Sequence, residues 1–178
     1  MLSPVPSSPV PRSSTLLVSA RAGALLAALG GVAWLTGEPF LFPSLGPTAF
    51  VLSLSPERRS GTAWTVLGGH FWGTAAGLLS YHLLAAGTTL ADLGASDPTA
   101  GLLLASSAAL STALTSALML YTRAVHPPAC ATTLIVSLGL LPTLRDGGVI
   151  LLAVTILYAL SRTGPFSSDL SAGPTKDV

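Results

Sequence analysis

The stretch His126-Pro127-Pro128-Ala129-Cys130-Ala131-Thr132-Thr133-Leu134-Ile135-Val136-Ser137-Leu138-Gly139-Leu140-Leu141 decides how the chain is read. It lies among apolar segments, yet it opens on a histidine and two prolines. Neither proline carries an N–H, and each drives the residue before it out of the α region. A helix therefore begins at about Pro128, where proline suits the first turn, and cannot run through from Tyr121. Pro128 to Leu141 is 14 residues. That is about 21 Å of helix at 1.5 Å per residue, against a hydrocarbon core of about 30 Å. The helix is expected to start inside the membrane with extended chain before it. Broken helices of this kind occur in transporters, where the free N-terminal amides face a ligand.

Composition sets the class. Of 178 residues, 50% are apolar and 8% charged, and the mean hydropathy is +0.70. A soluble domain carries about a quarter charged residues, so the chain reads as an all-α integral membrane protein in a lipid bilayer. With a net charge of +1 and no basic run, nucleic acid is not expected as a partner. The single cysteine, Cys130, excludes a disulfide framework. Residues 1–14 hold four prolines and five serines and read as a disordered tail. Residues 15–161 read as one transmembrane domain, and 162–178 as a flexible C-terminal tail. The first apolar segment is longer than a secretory signal core and reads as a retained helix.

Six apolar segments follow, at residues 15–36, 40–54, 62–87, 99–121, 126–141 and 147–161. The second is broken by Pro43, Gly46 and Pro47, and the fifth by His126-Pro127-Pro128. Four segments are long or nearly long enough to span, and two are short. Charge decides how many cross. With six crossings and a cytoplasmic N-terminus, Arg12, Arg58, Arg59, Arg123, Arg162 and Lys176 lie inside and only Arg145 outside. If the two broken segments are re-entrant, three basic residues lie inside and four outside. The positive-inside rule favours six crossings, with both termini cytoplasmic and the chain integral to the plasma membrane. Trp34, Trp64, Tyr81, Tyr121 and Tyr158 fall near segment ends, as interfacial aromatics do.

The chain also repeats. At an offset of 84, Pro43 aligns with Pro127, Thr48 with Thr132, Ser53 with Ser137 and Leu54 with Leu138. The same offset carries the first segment onto the fourth and the third onto the sixth. Three crossings per repeat give halves of opposite topology, an inverted 3+3 repeat with paired broken helices. The two short helices then present their N-termini to each other near the midplane. Each offers unpaired N–H groups and about half a positive charge, which together make an anion site. The candidate substrate-binding residues are Gly46, Pro47, Thr48, His126, Pro128, Ala129, Thr132 and Thr133. The threonines serve as hydroxyl donors and His126 as a switchable cation.

Arg21 is a weaker candidate, either snorkelling to the surface or acting as a counter-ion. His70, in Gly68-Gly69-His70-Phe71-Trp72-Gly73, is another, read first as a buried hydrogen-bonded residue. Cys130, in the first turn of the fifth helix, is expected to react with anionic thiol reagents if that end lines an aqueous site. Gly69, Gly73 and Gly77 fall on one helical face, as do Gly23, Ala27 and Gly31. Such small-residue faces let backbones pack closely, within the fold or between protomers of a homo-oligomer. The carboxylates Glu38, Glu57, Asp92, Asp97 and Asp146 all fall in loops. With no metal spacing and no phosphate-binding loop, neither a metal nor another cofactor is expected, nor is an enzyme.

These motifs resemble the HPP family of integral membrane proteins, named for the tripeptide that stands here as His126-Pro127-Pro128. The resemblance extends to Phe42-Pro43-Ser44-Leu45-Gly46-Pro47-Thr48-Ala49, to Gly69-His70-Phe71-Trp72-Gly73 and to Pro128-Ala129-Cys130-Ala131-Thr132-Thr133, and covers about residues 20–160. The family is usually described with four spans, and the two short segments account for the difference. Plant chloroplast and cyanobacterial members are associated with nitrite transport. The resemblance therefore implies a transporter of a small inorganic anion, nitrite first. The alternative is a non-transporting membrane scaffold that uses its glycine faces to hold a partner subunit. Topology is directly testable. Cysteines placed at Ser60 and Arg123 should be labelled by an impermeant reagent only from the cytoplasmic side, and one at Ala95 only from outside. Labelling of position 60 from outside would restore four crossings.

Overall fold

Prolines, glycines and small capping side chains set the limits of six helices in the computed structural model, which describes residues 12–54, 59–92 and 98–163. Helix α1 covers Arg12–Thr36 and stops at Gly37, whose φ of 70° only glycine adopts freely. Helix α2, Leu45–Leu54, takes Gly46 and Pro47 into its first turn, where a missing N–H costs nothing. Helix α3, Ala63–Leu84, is capped by Thr62, whose hydroxyl accepts the Thr65 N–H. Helix α4, Pro98–Tyr121, begins on a proline. Helix α5 is Ala129–Ser137 and helix α6 is Leu144–Ser161. The start of α6 is fixed by a capping box between Thr143 and Asp146. Single 3₁₀ turns occupy Arg59–Gly61 and Leu90–Asp92, and no strand occurs among the described residues.

Three helices are long and apolar enough to cross a membrane, namely Thr15–Thr36 within α1, Pro98–Tyr121 and Leu144–Ser161. Helix α3 has the length, at 22 residues, but carries His70 and His82 and is packed by α4, α5 and α6. The short helices, α2 and α5, have 10 and 9 residues, about 15 and 14 Å. Several boundaries differ from the sequence reading: α3 ends at Leu84 rather than at 87, and α6 begins at Leu144 rather than at 147, so that Asp146, read as a loop residue, lies in its first turn. Helix α1 begins at Arg12 and so takes in three residues assigned to the tail; the remainder of both tails lies outside the described residues, apart from Arg162 and Thr163.

A further difference is at α5, which ends at Ser137 rather than running to Leu141. Gly139 adopts φ 74°, its N–H bonds Val136 O at 3.1 Å, and the Leu140 N–H bonds Ile135 O at 3.1 Å. That pair of bonds is a Schellman stop. A Cβ at Gly139 would also lie 2.5 Å from Thr88 O, so the turn is held against the connection after α3.

Helices α4 and α5 pack on each other and on α3; α1 and α2 pack on each other and on α6; α3 and α6 join the two groups. The third helix of each half thus packs with the other half's counterpart. Polar contacts sort the connections to two ends. At one end Trp64 Nε1 donates to Thr122 O (3.1 Å) and Arg162 donates to Gly61 O (3.1 Å). At the other, Arg145 pairs with Glu38 (2.8 Å), His82 Nε2 donates to Pro142 O (3.1 Å) and the Leu90 N–H to Leu138 O (3.1 Å). Successive connections therefore alternate between ends. The apolar core draws on α1 (Leu25, Leu29), α2 (Leu45, Leu52), α5 (Val136) and α6 (Ile150, Leu157). The outer surface stays apolar, with Trp34 84% and Leu102 68% exposed, as contact with lipid requires.

The glycine stripe of α3 is the seat of α5. A Cβ on Gly69 would stand 2.8 Å from His126 Cβ, on Gly73 2.7 Å from Ala129 O, and on Gly77 2.8 Å from Val136 Cβ. Two of these clashes are with Cβ atoms and one with backbone, none of which a side chain can swing away. By contrast Gly23 and Gly31 of α1 have open space around them. Overpacking costs about 1–3 kcal/mol, so Gly73→Val should lower the melting temperature in detergent markedly. Gly23→Val should leave it nearly unchanged. Equal melting of the two variants would contradict the close seat.

Candidate functional site

Short helices bring their first turns together at the centre of the bundle. Thr48 is the fourth residue of α2 and Thr132 the fourth of α5, the same pair that the 84-residue offset aligns. Both reach one histidine on α3. The Thr48 Oγ1 lies 3.0 Å from His70 Nε2, and Thr132 Oγ1 lies 2.7 Å from His70 Nδ1. Thr48 Oγ1 is also 3.2 Å from His126 Nε2. His126 Nδ1 donates to Ser60 O at 2.8 Å, and the Thr132 hydroxyl donates to Ser44 Oγ at 2.8 Å. The imidazole centroids are 5.2 Å apart. Ser44, Thr48, His70, His126 and Thr132 are all fully buried, at 0% exposure.

Local sequence explains the placement. After Thr122 the chain leaves α4 through Arg123, at φ 59°, and runs extended past α3, with Ala124 against Gly68. Pro127 and Pro128 keep it from coiling until Ala129, and the Ala129 N–H bonds His126 O at 2.9 Å. His126 is thereby set at the depth of Gly69, where glycine leaves room for its Cβ. On the α2 side, Ser44 precedes the helix; its carbonyl accepts from the Thr48 N–H (3.4 Å) and from the Thr48 hydroxyl (3.0 Å).

Of the residues singled out from sequence, Thr48, His126, Thr132 and His70 come together in this cluster. Pro128 and Ala129 are buried beneath it as the start of α5. Thr133 is buried but separate. It meets Thr115 Oγ1 at 2.8 Å and donates to Ala129 O at 3.2 Å. Gly46 is half-buried and lines an open, apolar depression of about 340 Å³ with Leu26, Leu41, Phe42 and Pro43, and Pro47 is exposed. Arg21 is buried, at 8% exposure, rather than extended into open solvent. Cys130 shares the outward side of α5 with exposed Pro127 and Leu134, away from the histidines.

Sequence reasoning missed Ser44 and Ser60 and underweighted His70. Ser44 carried one signal, a small hydroxyl residue just before a helix start. Ser60 acts through its carbonyl, which no side-chain pattern reveals. Ser53 and Ser137, which the 84-residue offset aligns, are both buried, each with a hydroxyl that has no partner among the described residues. Among those residues no group of three metal-ligating side chains occurs.

Side chains in this arrangement offer hydroxyl and imidazole hydrogen-bond donors in a dry setting, framed by two helix N-terminal turns. Such a frame can hold an anion and can pass protons between neighbours. The outward side of α5 gives a separate expectation. Cys130 should react with a lipid-soluble organomercurial at a rate that nitrite leaves unchanged; protection by nitrite would mean that this thiol faces the anion instead.

A protein-family model described as HPP, transmembrane region, matches residues 7–161. No curated protein and no solved structure matches the chain.

Proposed function

The chain belongs to the HPP family of transmembrane proteins, and on that footing we propose that it is a membrane transporter or facilitator for a small inorganic anion, nitrite first. The observation that carries this reading is the convergence of Thr48 and Thr132, at equal positions in the two short helices, on the two nitrogens of His70. Six crossings place the two helix starts on opposite approaches to one buried point. The inverted 3+3 repeat is supported by the 84-residue offset and by the exchange of third helices between halves. The basic residues then put the connection at Gly61, Thr122 and Arg162 on the cytoplasmic side of a plasma membrane.

As folded here the site is closed, because its donors bond one another. An anion binds by replacing the contacts of Ser44 with Thr132 and of Thr48 with His126, which join α2 to α5. Opening those contacts toward one side at a time provides alternating access. Ser53 and Ser137, at the far ends of the short helices, offer further hydroxyl donors on either side. The backbone amides and the helix dipoles supply most of the attraction, and the side chains adjust it. No catalytic step and no cofactor is invoked, and the protein acts as a carrier rather than an enzyme.

Flux of nitrite into proteoliposomes containing only this protein tests the reading. A scaffold that merely holds a partner moves nothing. Thr48→Val and Thr132→Val should each raise the half-saturation concentration. A hydrogen bond to a charged group is worth about 1.5–3 kcal/mol, which is about 10- to 150-fold. Wild-type kinetics from both variants, each confirmed folded by size-exclusion chromatography, would remove the paired helix starts as the binding site.

A further inference from the structure

The two halves of the repeat do not pack alike. At the 84-residue offset, Gly69, Gly73 and Gly77 of α3 correspond to Ala153, Leu157 and Ser161 of α6. The glycines bring the backbone of α5 down onto α3. At the matching seam, Ala153 and Leu157 are fully buried in one apolar core with Leu45, Ala49 and Leu52 of α2. Side chains therefore lie between α2 and α6, whereas α5 meets α3 through glycine.

The chain entering each short helix repeats the contrast. Ahead of α5, Ala124 and His126 rest on Gly68 and Gly69, so close that a Cβ on Gly68 would stand 3.0 Å from Ala124 Cβ. Their counterparts ahead of α2 are Phe40 and Phe42, which are buried in the apolar core. The first helix of each half differs too. On α4, Ser107 donates to Ser137 O at 2.9 Å, and the Thr115 and Thr133 hydroxyls lie 2.8 Å apart, which ties α4 to α5. The counterparts of Ser107 and Thr115 on α1 are Gly23 and Gly31, which carry no side chain to bond α2 and have open space around them.

Glycine seats and hydroxyl ties fix a helix at one depth, because a slide drives Cβ atoms into backbone or breaks a directional bond. Leucine and phenylalanine contacts attract without direction, and helices packed through them slide by small steps. What holds the start of α2 is polar. Ser44 bonds Thr132 at 2.8 Å, and Thr48 Oγ1 lies 3.0 Å from His70 Nε2 and 3.2 Å from His126 Nε2. Beside that start is the open depression of about 340 Å³ lined by Leu26, Leu41, Phe42, Pro43 and Gly46. Residues on both sides of Ser44-Leu45 thus border free volume.

We propose that one short helix does the moving: α3, α4 and α5 form a fixed block that carries His70, His126 and Thr132, and α2, with the chain entering it, is the gate that uncovers them. The anion reaches the cluster when the start of α2 withdraws toward the depression, taking Ser44 and Thr48 with it. The carrier then has one fixed half and one moving half, and the halves do not exchange roles. Helix α2 cannot take up a seat like that of α5, because Leu157 stands where the counterpart of Gly73 would be needed. The use of this movement by an anion rests on the transport reading above, whereas the unequal mobility of α2 and α5 does not.

Distances between spin labels on the full chain in nanodiscs decide the matter. In a Cys130→Ala background, Phe50→Cys on α2 and Leu134→Cys on α5 are repeat counterparts on exposed surfaces, and each is paired with Phe71→Cys on α3. Double electron–electron resonance should give the 134–71 pair one narrow distance under every condition. Saturating nitrite should shift the 50–71 distance by more than about 2 Å. Removing the clamp with Ser44→Ala and Thr48→Val should shift it without any anion, in protein confirmed folded by size-exclusion chromatography. Ser44→Ala alone serves if the pair of substitutions does not fold. A 134–71 distance that moves as far as the 50–71 distance would mean two equal gates and overturn the proposal. So would a 50–71 distance that ignores loss of the clamp, or nitrite uptake in proteoliposomes while nitrite moves neither distance. No uptake by wild type would overturn the transport reading, while the clamp variant still decides whether α2 is the looser helix.

Discussion

The place of His126 and Thr132 in the central cluster depends on how closely α5 lies against α3. Gly69, Gly73 and Gly77 let the backbone of α5 approach within a distance that any side chain would block. That approach puts His126 beside His70 and puts Thr132 within 2.7 Å of His70 Nδ1. With α5 moved out by the width of one methyl group, the bonds of Thr132 with His70 and of Thr48 with His126 would be lost together. The helix has only 9 residues, but Ala129, Thr132, Thr133, Ile135, Val136 and Ser137 are buried, so its position is fixed by α3 and α4.

A buried polar network of this kind is worth having only when every member is bonded, since an unpaired polar atom costs about 1–3 kcal/mol in such surroundings. Here the bonds run across three elements rather than within one. Thr48 comes from α2 and Ser44 from the residue before it, His70 from α3, and His126 and Thr132 from α5 and the chain before it. The cluster therefore doubles as the polar clamp between the two halves. Parting the halves must replace these bonds with others, and an anion with several acceptor oxygens is a chemically suitable replacement.

Much of this was legible in the residues. Proline and glycine positions gave all six helices to within a few residues, because those two residue types act locally. Glycines four apart marked a close-packing face on α3 without saying which helix fills it, and the 84-residue offset aligned Thr48 with Thr132. What stayed hidden depended on distant parts of the chain. Nothing near His70 says that two threonines, 22 residues before and 62 after it, will take its two nitrogens. The end of α5 was overrun because Leu138-Gly139-Leu140-Leu141 is as apolar as the helix before it, and only the Schellman bonds mark the stop. The side taken by Cys130 was readable after all. Two positions along a helix is about 200° of rotation, so a residue two before Thr132 faces away from it.

The shortness of α2 and α5 also bears on how the chain enters the bilayer during synthesis. A helix of 9 or 10 residues with extended chain before it leaves backbone N–H and C=O groups unbonded, and lipid offers them no partner. Neither short helix can rest in the membrane until its neighbours are there to receive it. For α5 they already are, since α3 and α4 precede it on the ribosome and the glycine groove is complete when Pro128 emerges. For α2 only α1 is present; α6, against which it also packs, is made last. The second half of the molecule is thus assembled in chain order. The first half has to wait, with α2 held provisionally by α1, until Leu157 and Ile150 arrive to close the core around it.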